Sequence, residues 1–296
     1  MRKLFIMTAH QCSRALIWTV EYLSSFPGNH IIIHYDAKSD SHEILPLAKE
    51  NVHILQERIP VRWGDVSQIH ATLLLLRQAL QVKFDYCFFI SGEDVPAVSD
   101  ERMNTFLEEN KNHEFIHYQN NSNTYVDPYP RVLYRYPSCF FRSQKNLFSL
   151  IKSKLHFYSR GLFKNRKVMA LMASGQLPPL YKGTNWFTLT ADSVKFIVAY
   201  IDTHPDLLTA FNGTFCADEI FFHSVLKLKP GLRLYQNPDA GSHCLRYIDW
   251  HSGPHYPKKL DTRDLAAISR GFYFFTRKVS EELTDAEFDQ FKTLVS

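Results

Sequence analysis

An α/β fold with a mostly parallel central sheet flanked by helices is predicted for this chain of 296 residues. Through its first third, short runs of β-branched and aromatic residues alternate with amphipathic stretches, the pattern of βαβ units. One such stretch places apolar residues at Val66, Ile69, Leu73, Leu76 and Leu80, a three-and-four spacing that marks one face of a helix. A hydrophobic content of 45% supplies a sizeable core.

Taken in order, the charged start Met1-Arg2-Lys3 is followed by the apolar run Leu4-Phe5-Ile6-Met7 and then at once by His10, Gln11 and Arg14. That run is too short for an export signal and reads as a strand over Lys3–Met7. Further strands are expected at His30–Tyr35, Val52–Leu55 and Tyr86–Ile90, the last preceded by the helix beginning beside Gly64-Asp65. A helix over Asp100–Glu109 and a strand over Phe115–Tyr118 extend the alternation. From Tyr118 to Leu180 it breaks, with one or two helices between Gln144 and Met172, as an insertion over a binding face would. It resumes with a strand at Thr184–Leu189, helices at Ala191–Asp202 and Ala217–Val225, and a strand near Cys244–Trp250. Helices at Arg263–Arg270 and Ser280–Val295 close the chain. No window holds the roughly 20 apolar residues of a membrane span, so the chain is expected not to cross a membrane.

Five cysteines, Cys12, Cys87, Cys139, Cys216 and Cys244, are scattered without the paired spacing of zinc or redox sites and fit reduced thiols in a cytoplasm. The net charge is only +4, yet Pro128 to Ala191 holds eleven Lys and Arg and no acid. Tyr134, Phe157 and Tyr158 interleave with those charges, as in single-strand nucleic-acid binders. No RNA-binding motif accompanies them. A platform for an acceptor or a membrane surface is the better reading, and no nucleic-acid partner is expected.

In a doubly wound sheet, ligands bind beyond the carboxyl ends of the strands. Thr8-Ala9-His10, Asp36-Ala37-Lys38, Ser91-Gly92-Glu93-Asp94 and Phe187-Thr188 to Thr190 follow or end predicted strands. Asp36 can accept hydrogen bonds from a nucleobase or ribose, or cap the next turn. Glu93 and Asp94 resemble an acidic pair for a divalent metal, but neighbours on an extended backbone point apart, and a structural turn reads equally well. Asp218-Glu219 precedes Ile220, Phe221 and Phe222. Acids in a first helical turn suit the helix dipole, while a carboxylate in an apolar setting suits a general base, for which Glu219 is the candidate. Arg246-Tyr247-Ile248-Asp249-Trp250 sets an aromatic near a cation, a pairing suited to sugar rings and also to an ordinary core. Arg277 and Lys278 follow an aromatic strand and suit either a diphosphate or a solvated turn.

Together, His34 to Ser39, Val61-Arg62-Trp63-Gly64 with Ser67, Ser91 to Pro96, Gly183 to Phe187, Asp218-Glu219, Leu245 to Trp250 and Phe275 to Lys278 keep a shared order over most of the chain. In this the chain resembles the core-2/I-branching N-acetylglucosaminyltransferases, a family that also holds the peptide O-xylosyltransferases. The resemblance implies a GT-A-like nucleotide-sugar transferase fold over 1–296, with a nucleotide-binding half (1–118), a basic insertion (119–182) and an acceptor and catalytic half (183–296). It implies inverting transfer of a sugar, N-acetylglucosamine or alternatively xylose, from a UDP-sugar co-substrate, with no metal or other cofactor. A protein that binds glycan or nucleotide-sugar without turnover is the non-enzymatic alternative.

Glu219 then matches the base. Thr8, Ala9, His10, Asp36, Lys38, Trp63 and Asp94 match positions around the UDP-sugar, and Lys278 a diphosphate ligand in place of metal. The family's second diphosphate cation falls on His255, with Lys258, Lys259 and Arg277 nearby. Trp250, Arg246 and Trp186 are expected beside the acceptor. Without the stem, anchor and disulfides of the animal enzymes, the resemblance points to a cytoplasmic bacterial enzyme, peripheral at the inner face of the cell membrane, that builds a surface polysaccharide or lipid-linked glycan.

Overall fold

The apolar run at the start forms β1 (Lys3–Ala9), and the helix that follows, α1 (Arg14–Ser24), returns the chain to β2 (Asn29–Tyr35). These elements belong to a computed structural model that describes residues 1–120, 125–141, 147–237, 242–253 and 257–296. After β3 (Val52–Ile54) come α2 (Ser67–Ala79), β4 (Tyr86–Ser91), β5 (Val95–Pro96), α3 (Asp100–Glu109) and β6 (Phe115–Tyr118). The basic region carries α4 (Tyr129–Leu133), α5 (Leu147–Ser159) and α6 (Arg166–Ala173). Beyond it lie β7 (Gly183–Thr190), α7 (Ala191–Thr203), α8 (Pro205–Ala210) and α9 (Asp218–Leu226). The chain closes with β8 (Arg246–Ile248), α10 (Leu265–Arg270), β9 (Phe275–Arg277) and α11 (Asp285–Lys292).

The main sheet runs β3-β2-β1-β4-β7-β6. Strands β1, β2, β3 and β4 are mutually parallel, and β7 alone runs against its neighbours β4 and β6. This is the expected α/β architecture. Alternation along β1 explains its two-sided burial: Leu4 and Ile6 join Ile69, Leu73 and Leu76 of α2 on one face, while Phe5 and Met7 join Leu16 and Val20 of α1 on the other. The carboxyl ends of β1, β2 and β4 therefore share one edge of the sheet, and antiparallel β7 brings its amino end, Gly183, to that same edge. A second sheet, β5-β9-β8, carries the terminal residues Phe275–Arg277 alongside Val95-Pro96.

Several features differ from the sequence expectations. Helix α1 was not among the elements assigned, although Ser13 caps it by accepting from Leu16 N at 3.0 Å. Strands near Trp250 and before Arg277 are expected from the sequence, but their pairing with each other and with Val95-Pro96 into a small second sheet spans long separations that no local pattern announces. The last helix starts at Asp285 rather than near Ser280, because Thr284 and Glu287 form a reciprocal capping box that fixes the start.

One buried ion pair pins the start of β1 to α3. Lys3 Nζ lies 3.1 Å from Asp100 Oδ2, with the two side chains 1% and 8% exposed, and Asn29 Nδ2 donates to Asp100 Oδ1 at 2.8 Å. Removing one member leaves an uncompensated buried charge, so Asp100→Ala is expected to lower unfolding free energy by about 3–5 kcal/mol, measured by urea titration. No helix among the described residues is long and apolar enough to cross a membrane. The five cysteines are free thiols.

Candidate active site

The shared edge of the main sheet is knitted by its own backbone. Asp36 N donates to Ala9 O at 2.8 Å and Gly92 N to Thr8 O at 3.0 Å, so the loops after β1, β2 and β4 lie side by side. Thr8 and Ala9 close β1, and His10 stands exposed beyond it. Asp36 is buried and caps its own turn, its Oδ1 accepting from Lys38 N at 2.9 Å while Lys38 Nζ sits 3.3 Å from Oδ2. Trp63, on the adjoining loop, is 55% exposed and rests edge-on against Phe215.

The turn after β4 meets the cations of β9. Asp94, fully buried, accepts from Ser91 N and, at 2.6 Å, from Ser91 Oγ. Arg277 Nε approaches Asp94 Oδ1 to 3.0 Å in an ion pair whose N–H direction is not that of a hydrogen bond. Glu93 Oε2 lies 2.7 Å from Lys278 Nζ and 3.6 Å from Arg277. Burial works to raise the Glu93 carboxyl, but the neighbouring Lys278 ammonium and Arg277 guanidinium hold it below the usual range. Each acid of the pair thus faces a cation. Among the described residues no group of three or more His, Cys, Asp or Glu is arranged to hold a metal.

Two residues expected beside the acceptor serve this cluster from beneath. The Trp186 ring, 8% exposed, lies 3.9 Å under the Arg277 guanidinium and packs on Phe89. Arg246 is 2% exposed and donates to the carbonyls of Cys244 at 2.9 Å and Phe187 at 3.4 Å, its guanidinium over the Phe275 ring. It ties β8 to β7 inside the core and presents nothing to an acceptor in this structure. Strand β8 ends at Ile248, so Trp250 lies beyond it and the facing of Arg246 does not carry over to Trp250. Trp250 is 48% exposed.

The remaining cations near the carboxyl end are divided. Lys258 Nζ lies 2.7 Å from Asp264 and Lys259 Nζ 3.8 Å from Glu282. His255 falls outside the described residues. Of the candidates for the diphosphate, the structure brings Lys278 and Arg277 together on the rim and leaves Lys258 in a separate pair with α10's leading turn.

Glu219 stands in the first turn of α9, which packs on β7. Its Oε2 takes Arg131 NH1 at 2.6 Å and Lys182 Nζ at 3.0 Å. Both contacts fall on one oxygen. Lys182 immediately precedes β7, so Glu219 is linked through the start of that strand to Trp186 and the Arg277 cluster. Ile220, Phe221 and Phe222 turn into the core and do not form the apolar setting around Glu219 that the sequence suggested, because the helix rotates each of them away from the rim. Asp218 is the buried acid instead: Gln68 Nε2 donates to its Oδ2 at 3.2 Å, and burial, with the Glu219 charge adding to it, pushes its carboxyl up to about 7.

That raised value sets a pH signature. The neutral Asp218 is favoured by folding, so its contribution is full below about pH 4 and is lost as pH rises through about 7. Asp218→Asn is expected to raise the urea midpoint above neutrality and to leave it unchanged in acid, a shift worth about 1.4 kcal/mol per unit of pKa displacement.

Gly183 shows why the strand opens with glycine. A Cβ there would overlap the His117 carbonyl oxygen and the His223 ring. Burial pushes the His117 imidazole down to about 4 and that of His223 to about 3, so neither carries charge near neutrality. Arg131, Lys182 and Gln68 were not singled out from the sequence, and Asp218 was noted only as the neighbour of Glu219 in the acidic pair. The one available signal was the acid-free basic stretch, whose charges had to find acids elsewhere in the fold.

Residues 5–269 match the family model of the Core-2/I-branching enzymes. The chain belongs to that family. Within it, human (Homo sapiens) xylosyltransferase 2 is 26% identical over 279 residues, covering 86% of this chain and 29% of that protein. The rat (Rattus norvegicus) xylosyltransferase 2 is 25% identical over the same length. The chain thus spans under a third of these relatives' own length. Among solved structures, the apo form of mouse xyloside xylosyltransferase 1 aligns with 93% of this chain and 96% of its own at a TM-score of 0.35 and 8% identity. S. aureus TarS aligns with 43% of this chain and 23% of its own at a TM-score of 0.29 and 14% identity.

Proposed function

We propose that this family member is an inverting glycosyltransferase of GT-A type, moving a sugar from a UDP-sugar to a glycan hydroxyl by a single displacement without a metal ion. The observation that carries the reading is that β7 touches two kinds of chemistry. Lys182, just before it, pairs with the Glu219 carboxylate, whose Oε1 is in neither of its two ion pairs, and Trp186 within it lies under Arg277, which shares Glu93 with Lys278.

In that displacement Glu219 Oε1 takes the proton of the acceptor hydroxyl, and the freed oxygen attacks the anomeric carbon as its bond to the diphosphate oxygen breaks. UDP leaves with the electron pair. Lys278, 33% exposed at its side chain, exchanges Glu93 for the diphosphate, and Arg277, fixed by Asp94 and Trp186, holds the field in place. The pairing of Glu93 and Asp94 with cations supports a metal-free role for this turn. Asp36, Lys38, Thr8, Ala9, His10 and Trp63 line the approach for the nucleotide.

N-acetylglucosamine is the donor sugar of the family resemblance. Xylose is the second reading, favoured by the names of the curated relatives. The acceptor is read as a glycan, lipid-linked at the inner face of a cell membrane. Incubation with UDP-N-acetylglucosamine or UDP-xylose and a panel of glycan acceptors, followed by proton NMR, tests the reading. A β-linked product from the α-linked donor is expected; an α-linked product, or none from either donor, would sink it.

A further inference from the structure

From Ile151 on, helix α5 turns apolar side chains outward. Ile151, Leu155 and Tyr158 recur at spacings of four and three, on one face, and are 56%, 66% and 85% exposed. Leu162 in the turn that follows is 86% exposed. The polar His156 is instead turned inward, against Tyr136, Phe140 and Phe163. A helix packed on its own core does the reverse. Next to it, an apolar hollow of about 370 Å³ lies between α4 and α6, lined by Leu133, Tyr134, Lys164, Met169 and Met172. Met169 and Met172 are themselves 42% and 51% exposed.

The charges carried by this stretch of chain have one sign. Lys154, Lys164, Arg166 and Lys167 are exposed, and no Asp or Glu occurs from Pro128 to Ala191. An exposed apolar stripe bordered by cations is the surface that lies in the headgroup region of an acidic membrane. It does not suit self-association, since a two-fold contact would set cations against cations. The face also adjoins the site. Arg131, which holds Glu219, is on α4, whose last residue, Leu133, lines the hollow.

We infer that this face, α5 with the turn after it and α6, docks on an anionic lipid bilayer, with Leu155 and Leu162 in the acyl boundary and Lys154, Arg166 and Lys167 on acidic headgroups. This rests on the reading of the acceptor as lipid-borne, for which it supplies the surface. The docking sets the catalytic rim beside the membrane, where a lipid-carried hydroxyl reaches Glu219 by diffusion in two dimensions.

Flotation of the full chain with vesicles of phosphatidylglycerol and phosphatidylcholine, against phosphatidylcholine alone, tests it. The acidic vesicles are expected to bind at least ~10-fold more protein, with binding weakened by salt. The variants Leu155→Ser/Leu162→Ser and Lys154→Glu/Lys167→Glu should each lose at least ~10-fold of that binding, with far-UV dichroism and UDP titration unchanged from the parent chain. Equal partition to both vesicles, no flotation, or variants that float like the parent would overturn the docking. So would a dimer in light scattering that depends on Leu155 and Leu162, which would make a second copy the occupant. Failure of flotation with UDP binding intact removes the docking alone, while flotation without UDP binding removes the transferase reading and leaves the surface standing.

Discussion

Glu219→Gln is expected to bind UDP with the affinity of the parent chain and to lose transfer by about 10²–10⁴-fold, the range for removing a positioned general base. The amide oxygen can still accept from Arg131 and Lys182, which hold Glu219 at 2.6 and 3.0 Å, so the rim should keep its shape. What disappears is the basic oxygen. Steady-state kinetics with parallel nucleotide titration separates the two roles: loss of kcat with unchanged affinity supports the base, whereas loss of affinity would make Glu219 a structural pin for Arg131 and Lys182. Retained transfer would remove the assignment altogether.

Lys278→Ala should act at the other end of the reaction. Its ammonium lies 2.7 Å from Glu93 and is the more exposed of the two rim cations, so it is the one free to turn toward a diphosphate. Losing a preorganised charge opposite the leaving group is expected to reduce kcat by about 10²–10³-fold and to weaken UDP, because Glu93 is left on the rim with only Arg277 at 3.6 Å to offset it. Unchanged turnover and unchanged UDP affinity together would show that Lys278 serves only to hold Glu93.

How much of this was legible in the sequence follows from the range of each interaction. The parallel sheet was, because β1, β2 and β4 are apolar runs with turns or helices between them, and periodicity reports local geometry directly. The edge where Thr8, Asp36 and Asp94 meet follows from strand direction alone. The pairing of Arg277 with Asp94 was not, since these residues are brought together by a small sheet whose strands span two and three residues. Arg246 is expected beside the acceptor from its neighbours Tyr247 and Trp250, yet its hydrogen bonds to the Cys244 and Phe187 carbonyls hold it in the core. The surroundings of Glu219 illustrate the same limit. The apolar residues after it suggested a greasy pocket, and the three-dimensional neighbours are two cations contributed by α4 and by the residue before β7.

Isothermal titration of the chain with UDP, UDP-N-acetylglucosamine and UDP-xylose, each in EDTA and in Mn²⁺, separates a metal-free diphosphate site from a metal-dependent one. With Lys278 and Arg277 doing at the diphosphate what a metal ion otherwise does, binding should persist unchanged in EDTA, with one sugar nucleotide preferred. Binding that appears only with Mn²⁺ would return Glu93 and Asp94 to a metal-holding role and contradict the account.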